Sequence, residues 1–272
     1  MSKIGQWPAL ESNPEAMTKF VRSIGVPEPN CVVDVFGFDP DLQAMIPKPV
    51  HAVLLVFPEG DGIRATRKSE YESVKDNSVP KDVFHMPQHI SNACGTFALI
   101  HALANCEGIK LPDDGVFLDF LKSAKSVEPA KRSEVLLNHT AMATAHTECA
   151  QQGETEEPEK VVHHFICFVP RAGRLLEIDS AMTHALDRGQ TSTDSFLTDV
   201  GKEMQKMVDA SGGKVEFSAM ALGCEGSHTT HMCVGSLALA PDQQSVIQSR
   251  FESIRSPGFP IWLAEAAFTF DQ

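Results

Sequence analysis

The sequence predicts a mixed α/β domain, a sheet covered by helices that enter from several points along the chain. Three observations carry this. Residues 31–36 and 51–57 are short apolar runs, the first β-branched and the second with few polar positions, as in strands buried on both faces. Helix starts and stops, marked by capping residues, Pro and Gly, fall between and after these runs without any repeat period. The chain has 272 residues, 42% of them hydrophobic and 22% charged. That is enough to bury a core without disulfide staples.

In chain order, Asn13 reads as an N-cap with Pro14 at the first helical position, and the helix runs to about Ile24 before Gly25 and Pro27 stop it. The strand at 31–36 follows, then a short helix opened by Asp39-Pro40 and ended by Pro47 and Pro49. After the strand at 51–57, residues 58–62 read as a turn, 67–75 as a charged, exposed helix and 82–86 as a third short strand. A polar loop from Gln88 turns at Cys94 into an apolar, helix-periodic run, and helices at 115–125 and 128–137 come next. Residues 151–160 hold no apolar anchor and read as an exposed acidic loop. Residues 161–169 and 174–178 form a hairpin around the turn at 170–173, 193–210 a long helix, and 214–222 a last strand. This places one domain in residues 1–223 and an atypical extension in 224–272.

The chemistry centres on Cys94. A thiol in the first turn of a helix sits where free N–H groups and the macrodipole favour a thiolate. Gln88, six residues upstream, can offer a side-chain N–H to an oxyanion beside it. A thiol nucleophile also needs a base and a group to orient that base. His101, two helical turns along the same helix, lies about 10 Å away, too far to share a proton. His89 is unanchored. His163 and His164 lie on the first hairpin strand, where neighbours face opposite ways. Asp179 ends the return strand, so antiparallel pairing sets residues 164–166 opposite it. A His–Asp pair across the hairpin is therefore natural, with His163 and His164 both open as the base.

Several stretches resemble the ubiquitin carboxyl-terminal hydrolase (UCH) cysteine peptidases, most closely the short single-domain members: Trp7 with Leu10-Glu11-Ser12-Asn13-Pro14-Glu15, Val33-Asp34-Val35-Phe36-Gly37, Ile90-Ser91-Asn92-Ala93-Cys94-Gly95-Thr96, His164-Phe165-Ile166, Glu177-Ile178-Asp179 and Phe217-Ser218-Ala219-Met220-Ala221-Leu222. The likeness covers nearly all of residues 5–222. It implies a papain-like fold with an antiparallel-rich sheet, a knotted backbone and a loop crossing the active site. It implies Cys94 as nucleophile, His164 as base, Asp179 as its orienting carboxylate and Gln88 as oxyanion donor. It implies ubiquitin as substrate, bound by Ala9, Leu10, Glu11, Ser12, Asn13 and Pro14, by Ala150, Gln151, Gln152, Gly153, Glu154, Thr155, Glu156 and Glu157, and by Lys214, Val215, Glu216, Phe217, Ser218 and Ala219. Two departures stand out. Ser180 follows Asp179 where the family usually has Gly, and Ala9 separates Pro8 from Leu10 where Pro next to Leu is expected.

The crossing loop predicts a size limit. Residues 150–161, fully extended, span about 40 Å. A ring of that perimeter is about 13 Å across, close to one helix with its side chains. Amines, thiols, short or unfolded peptides and Lys side-chain remnants would pass, but folded ubiquitin would not. A hydrolase for a ubiquitin-like modifier such as NEDD8 and a catalytically silent ubiquitin-binding module are the alternatives.

The net charge of −13 argues against nucleic acid and anionic membrane and suits a basic peptide. Seven scattered cysteines and no apolar leader predict free thiols in a cytoplasmic, or cytoplasmic and nuclear, monomer. Cys224, His228, His231 and Cys233 match no zinc-site spacing, so neither metal nor organic cofactor is expected.

Overall fold

The computed structural model describes residues 3–74, 78–151, 163–211 and 217–224. In chain order the elements are β1 (Gly5–Gln6), α1 (Pro14–Ser23), β2 (Asn30–Val35), α2 (Pro40–Ala44), β3 (Val50–Pro58), α3 (Asp61–Ser73), β4 (Ile90–Ser91), α4 (Cys94–Asn105), α5 (Val116–Lys125), a 3-10 turn (Pro129–Lys131), α6 (Arg132–Asn138), α7 (Thr140–Ala150), β5 (His163–Arg171), β6 (Arg174–Ile178), β7 (Leu186–Gln190), α8 (Phe196–Ala210) and β8 (Ser218–Cys224). The main sheet has six strands in the order β2-β8-β3-β5-β6-β7, every pair antiparallel.

Alternation along the central strands explains the layering. Ala52, Leu54 and Val56 of β3, with Phe165, Cys167 and Val169 of β5, face a core shared with α1, α4, α5, α6 and α7. Val53, Leu55 and Phe57, with Ile166 and Phe168, face a second core shared with α8. The sheet is buried on both sides, which is why β3 reads as a continuous apolar run. Helix α4 lies in the first core, with eleven of its twelve residues buried.

The Asn13 cap is present: its side chain accepts from the N–H of Glu15 and Ala16 at 2.9 and 3.2 Å. The β5–β6 hairpin closes through Ala172 and Gly173, both at positive φ, as a two-residue turn of primed type requires.

Four expectations are corrected. Residues 82–86 are not a strand. Their polar backbone groups are met by side chains: Asn105 brackets Phe84 with bonds of 2.7 and 2.8 Å, His101 Nε2 accepts the Met86 N–H at 3.0 Å, and Arg132 donates to the His85 carbonyl. The expected turn at 58–62 is shorter, because α3 starts at Asp61. That helix is not simply exposed: Arg67 and Tyr71, one turn apart on one face, are 5% and 3% exposed. Helix α8 begins at Phe196, not 193, after Ser192 and Ser195 close a hydrogen-bonded turn. Strands β1, β4 and β7 and helix α7 are additional to the sequence reading. The loop at 152–162, residues 212–216 and the extension from 225 onward lie outside the described residues.

Candidate active site

The loop from Gln88 and the start of α4 are held by the N-terminal segment. Strand β1 pairs in parallel with β4, Gly5 opposite Ile90, and flanking bonds run from Ile4 N–H to the His89 carbonyl and from Trp7 N–H to the Ser91 carbonyl. Asn92 takes the left-handed conformation, φ 63°, which Asn tolerates better than most residues. The backbone then enters α4 at Cys94. Ala93 is the N-cap and supplies no side-chain bond. The first-turn N–H groups, Cys94's among them, therefore have no intrahelical or side-chain cap acceptor and lie beside the thiol. Cys94 itself is 6% exposed.

His164 and Asp179 converge on this point from β5 and the end of β6. The register pairs Cys167 with Ile178, which sets Ile166 against Asp179 and lets His164 reach back along the same face. His164 Nε2 donates to Asp179 Oδ1 at 2.7 Å. That leaves Nδ1 free of the carboxylate, and the nearby Cys94 sulfur also favours the protonated imidazole. Burial alone would push this imidazole's pKa down, but the Asp179 carboxylate and then the Cys94 sulfur outweigh it and raise it to about 10. His163, its neighbour, is exposed on the other face, and only its carbonyl approaches the thiol, at 3.9 Å.

Asp179 is fully buried yet strongly held as an anion. Burial would raise its pKa, but His164⁺ and Arg67⁺ hold it well below the usual carboxylate range. Its Oδ1 also accepts the Ala181 N–H at 2.8 Å, and Oδ2 accepts Arg67 Nη2 at 2.8 Å. Arg67 Nη2 also donates to Glu177 Oε1 at 2.7 Å, where the Tyr71 hydroxyl adds a bond of 3.0 Å. Arg188 meets the other Glu177 oxygen at 2.7 Å. Behind the His–Asp pair thus lies a buried ionic network of Arg67, Glu177 and Arg188. The Arg67 guanidinium also packs over the Phe57 ring, 5.3 Å from its centroid.

Gln88 lies in the polar loop before α4. Its Nε2 donates to the Ile90 carbonyl at 2.8 Å, and its Oε1 accepts from the Ser180 hydroxyl at 3.0 Å. Its own N–H donates to the Ser180 carbonyl at 2.7 Å. Ser180 has no left-handed φ, so the turn after Asp179 does not require Gly.

The other histidines in reach of the site do different things. His101 is an internal acceptor for Met86 and stacks on His85 at 5.4 Å, and His85 Nε2 lies 3.1 Å from the Asp179 carbonyl oxygen. His89 donates its backbone N–H to the Ser133 hydroxyl at 3.2 Å. Of the expected contact segments, Ser12 and Ser218 bring the first and third together, with hydroxyls 3.5 Å apart. Leu10 is buried against Gly95, and Asn13 and Pro14 start α1, while Ala9, Glu11 and Ala219 complete these stretches. Phe217 stacks near Phe57, which in turn meets His164 edge-on, both at 5.8 Å. Ala150 and Gln151 end α7. Gln152, Gly153, Glu154, Thr155, Glu156, Glu157, Lys214, Val215 and Glu216 lie outside the described residues. Cys224 stands 3.5 Å from His51 and 3.4 Å from Asn30 Oδ1. Among the described residues, no three His, Cys, Asp or Glu side chains group as metal ligands, and no helix is long and apolar enough to cross a membrane.

Arg67 and Glu177 were given no role from sequence, and Ser180 was noted only as a departure from the family's Gly. One signal was available: Glu177 and Asp179 are two apart on a strand, so they share a face and call for a buried cation.

Residues 7–209 match the family model described as ubiquitin carboxyl-terminal hydrolase, family 1. The chain belongs to this family. It is 36% identical over 220 residues to a ubiquitin carboxyl-terminal hydrolase of Drosophila melanogaster, covering 79% of this chain and 96% of the relative. It is 34% identical over 218 residues to isozyme L1 of Rattus norvegicus, covering 80% and 98%. The fold also matches the catalytic domain of UCH37 of Trichinella spiralis, crystallised with ubiquitin vinyl methyl ester. There the TM-score is 0.66 and the identity 24%, over 82% of this chain and 98% of that one.

Proposed function

We propose that this UCH-family chain is a thiol-dependent deubiquitinating hydrolase that acts through Cys94, His164 and Asp179. The observation that carries the reading is the buried His164–Asp179 pair, bonded at 2.7 Å, on the strand whose His163 carbonyl lies 3.9 Å from the Cys94 thiol at the start of α4. In the attack the imidazole takes the thiol proton and the thiolate is the nucleophile. The thiolate adds to the carbonyl of the terminal glycine of ubiquitin. The developing oxyanion takes N–H bonds from Gln88 and the Cys94 backbone. His164 then protonates the leaving amine, and a thioester forms. Once the sulfur is acylated, its negative charge no longer raises the His164 pKa. The imidazole, neutral since its proton went to the amine, then takes a proton from the hydrolytic water as base, and returns it to the sulfur as the thioester breaks.

The substrate segments nearest the site are the stretch before α1 and the start of β8, joined by Ser12 and Ser218, with Phe217 leading toward Phe57 and His164. The acidic loop departs at Gln151 and re-enters at His163, one residue before the base, so leaving groups on a ubiquitin C-terminus would pass this loop. Its length favours slender ones.

The deciding experiment is parallel kinetics on fluorogenic ubiquitin and NEDD8 substrates with the wild-type chain and Cys94→Ser. The expected result is ubiquitin turnover that Cys94→Ser abolishes while ubiquitin binding persists. Near wild-type cleavage by Cys94→Ser overturns the nucleophile, and faster NEDD8 turnover replaces the substrate. Lengthening the loop at 152–162 should admit diubiquitin, and continued resistance would dismiss the size limit.

A further inference from the structure

We propose that Ser180 is a positioning residue for the oxyanion donor: its hydroxyl clamps the Gln88 amide so that one Nε2 hydrogen stays aimed at the reacting carbonyl. The inference deepens the hydrolase reading above and rests on it.

A glutamine side chain on a loop has three soft torsions, and ordering it costs conformational entropy. A donor that must meet an oxyanion in a fixed place gains from having that order built in before reaction. The Gln88 amide is pinned at both ends. The Ile90 carbonyl can only accept, so the group 2.8 Å from it is Nε2, and one of its two hydrogens is engaged there. The group facing Ser180 at 3.0 Å is then Oε1, and the serine hydroxyl is its donor. Two opposed bonds fix the amide plane and leave the second Nε2 hydrogen as the free one. The Ser180 carbonyl also accepts the Gln88 N–H at 2.7 Å, so backbone and side chain of one residue hold backbone and side chain of the other.

Ser180 is itself rigid. It is 1% exposed and follows Asp179, whose carboxylate is locked by His164, Arg67 and the Ala181 N–H. Two adjacent residues at the end of β6 therefore organise both halves of the chemistry. Asp179 orients the base, and Ser180 orients the oxyanion donor. A glycine, usual at this position in the family, has no hydroxyl and cannot form this clamp.

The test uses Ser180→Ala and Ser180→Gly in the full chain, both of which remove the hydroxyl. Removing an oxyanion donor outright typically slows kcat by about 100- to 1,000-fold. Loosening one should slow it by roughly 10-fold, with KM for a fluorogenic ubiquitin substrate unchanged. Affinity for ubiquitin aldehyde, whose adduct with Cys94 is tetrahedral, should fall by the same factor, while affinity for ubiquitin itself holds. In a Gln88→Ala background the Ser180 variants should have no further effect. Equal slowing in that background, an effect confined to KM, or no slowing at all overturns the clamp. A readout independent of turnover is the Gln88 side-chain NH2 resonance pair. One proton should be protected from exchange in the wild type and lose that protection in Ser180→Ala. If protection survives the substitution, the clamp is wrong. If the wild type turns over no ubiquitin substrate but protection is lost as expected, the hydrolase reading fails and the clamp stands.

Discussion

Two buried imidazoles flank the first turns of α4 and titrate in opposite directions. His164, from β5, has Nε2 on the Asp179 carboxylate at 2.7 Å. His146, from α7, has Nε2 on the Pro8 carbonyl at 2.9 Å and Nδ1 on the Thr96 hydroxyl at 2.7 Å. Both are nearly inaccessible, at 6% and 0% exposure. Burial pushes the His146 pKa down to about 4, and the single carbonyl bond offsets little of that. His164 bears the same burial, but a carboxylate facing it raises it to about 10. A neutral oxygen makes a buried imidazole a structural strut, which here ties the segment before α1 to α4. A carboxylate that Arg67 keeps ionised favours its protonated form.

The sharpest way to break this comparison is Asp179→Asn, which turns the His164 partner into a neutral group. The expected loss is about 10⁴-fold in kcat, since the imidazole loses both charge stabilisation and orientation. A loss under tenfold would mean that the carboxylate is not what separates the two histidines. Next in size is Arg67→Met, which leaves Glu177 and Asp179 buried without their shared cation. Breaking a buried pair this way costs about 3–5 kcal/mol, readable as a shift in the urea midpoint. A change below 1 kcal/mol would show that Arg188 alone suffices for the network.

The third test is pH. His146 has a folded pKa below its unfolded value of about 6.5, so its contribution to stability is intact above pH 6.5 and lost as pH falls toward 4. At pH 5.5 the loss should be roughly 1–1.5 kcal/mol. His164 runs the other way: its contribution is full below pH 6.5 and lost as pH rises through about 10. Urea midpoints from pH 4.5 to 9.5 in wild type and His146→Gln should show the acid-side loss shrink in the variant. An unchanged acid limb would remove His146 from the account. The smallest effect is expected from Thr96→Val, which strips the hydroxyl from His146 Nδ1. It should cost about 1 kcal/mol without touching kcat. A kcat change would show that the two histidines are coupled.

Much of the site could be read from sequence because it follows local rules. Cys94 sits where a polar loop meets an apolar helix, and hairpin pairing alone puts Asp179 within a residue or two of the His163-His164 step. Choosing between those two histidines needed the family resemblance, since a one-residue ambiguity in register exchanges the faces. Residues 82–86 misled because an extended apolar stretch looks the same whether its backbone bonds go to a strand or to Asn105 and His101. Arg67 was taken for a surface charge because its partners, Glu177 and Asp179, lie about 110 positions away. Strand β7 and the short β1–β4 pair have too few apolar residues to announce themselves, and they form because neighbours offer an edge.

The sheet order has a consequence for how the chain is made. Strand β8 lies between β2 and β3, paired to both, although it comes last of the eight. Until it is synthesised and inserted, β2 and β3 each present an open edge, and the contacts that close them span more than 160 residues of sequence. Such distant pairing folds slowly and leaves sticky intermediates exposed. A nascent chain that already carries Cys94, His164 and Asp179 therefore still lacks the strand that completes their sheet, and catalytic competence should arrive late in translation.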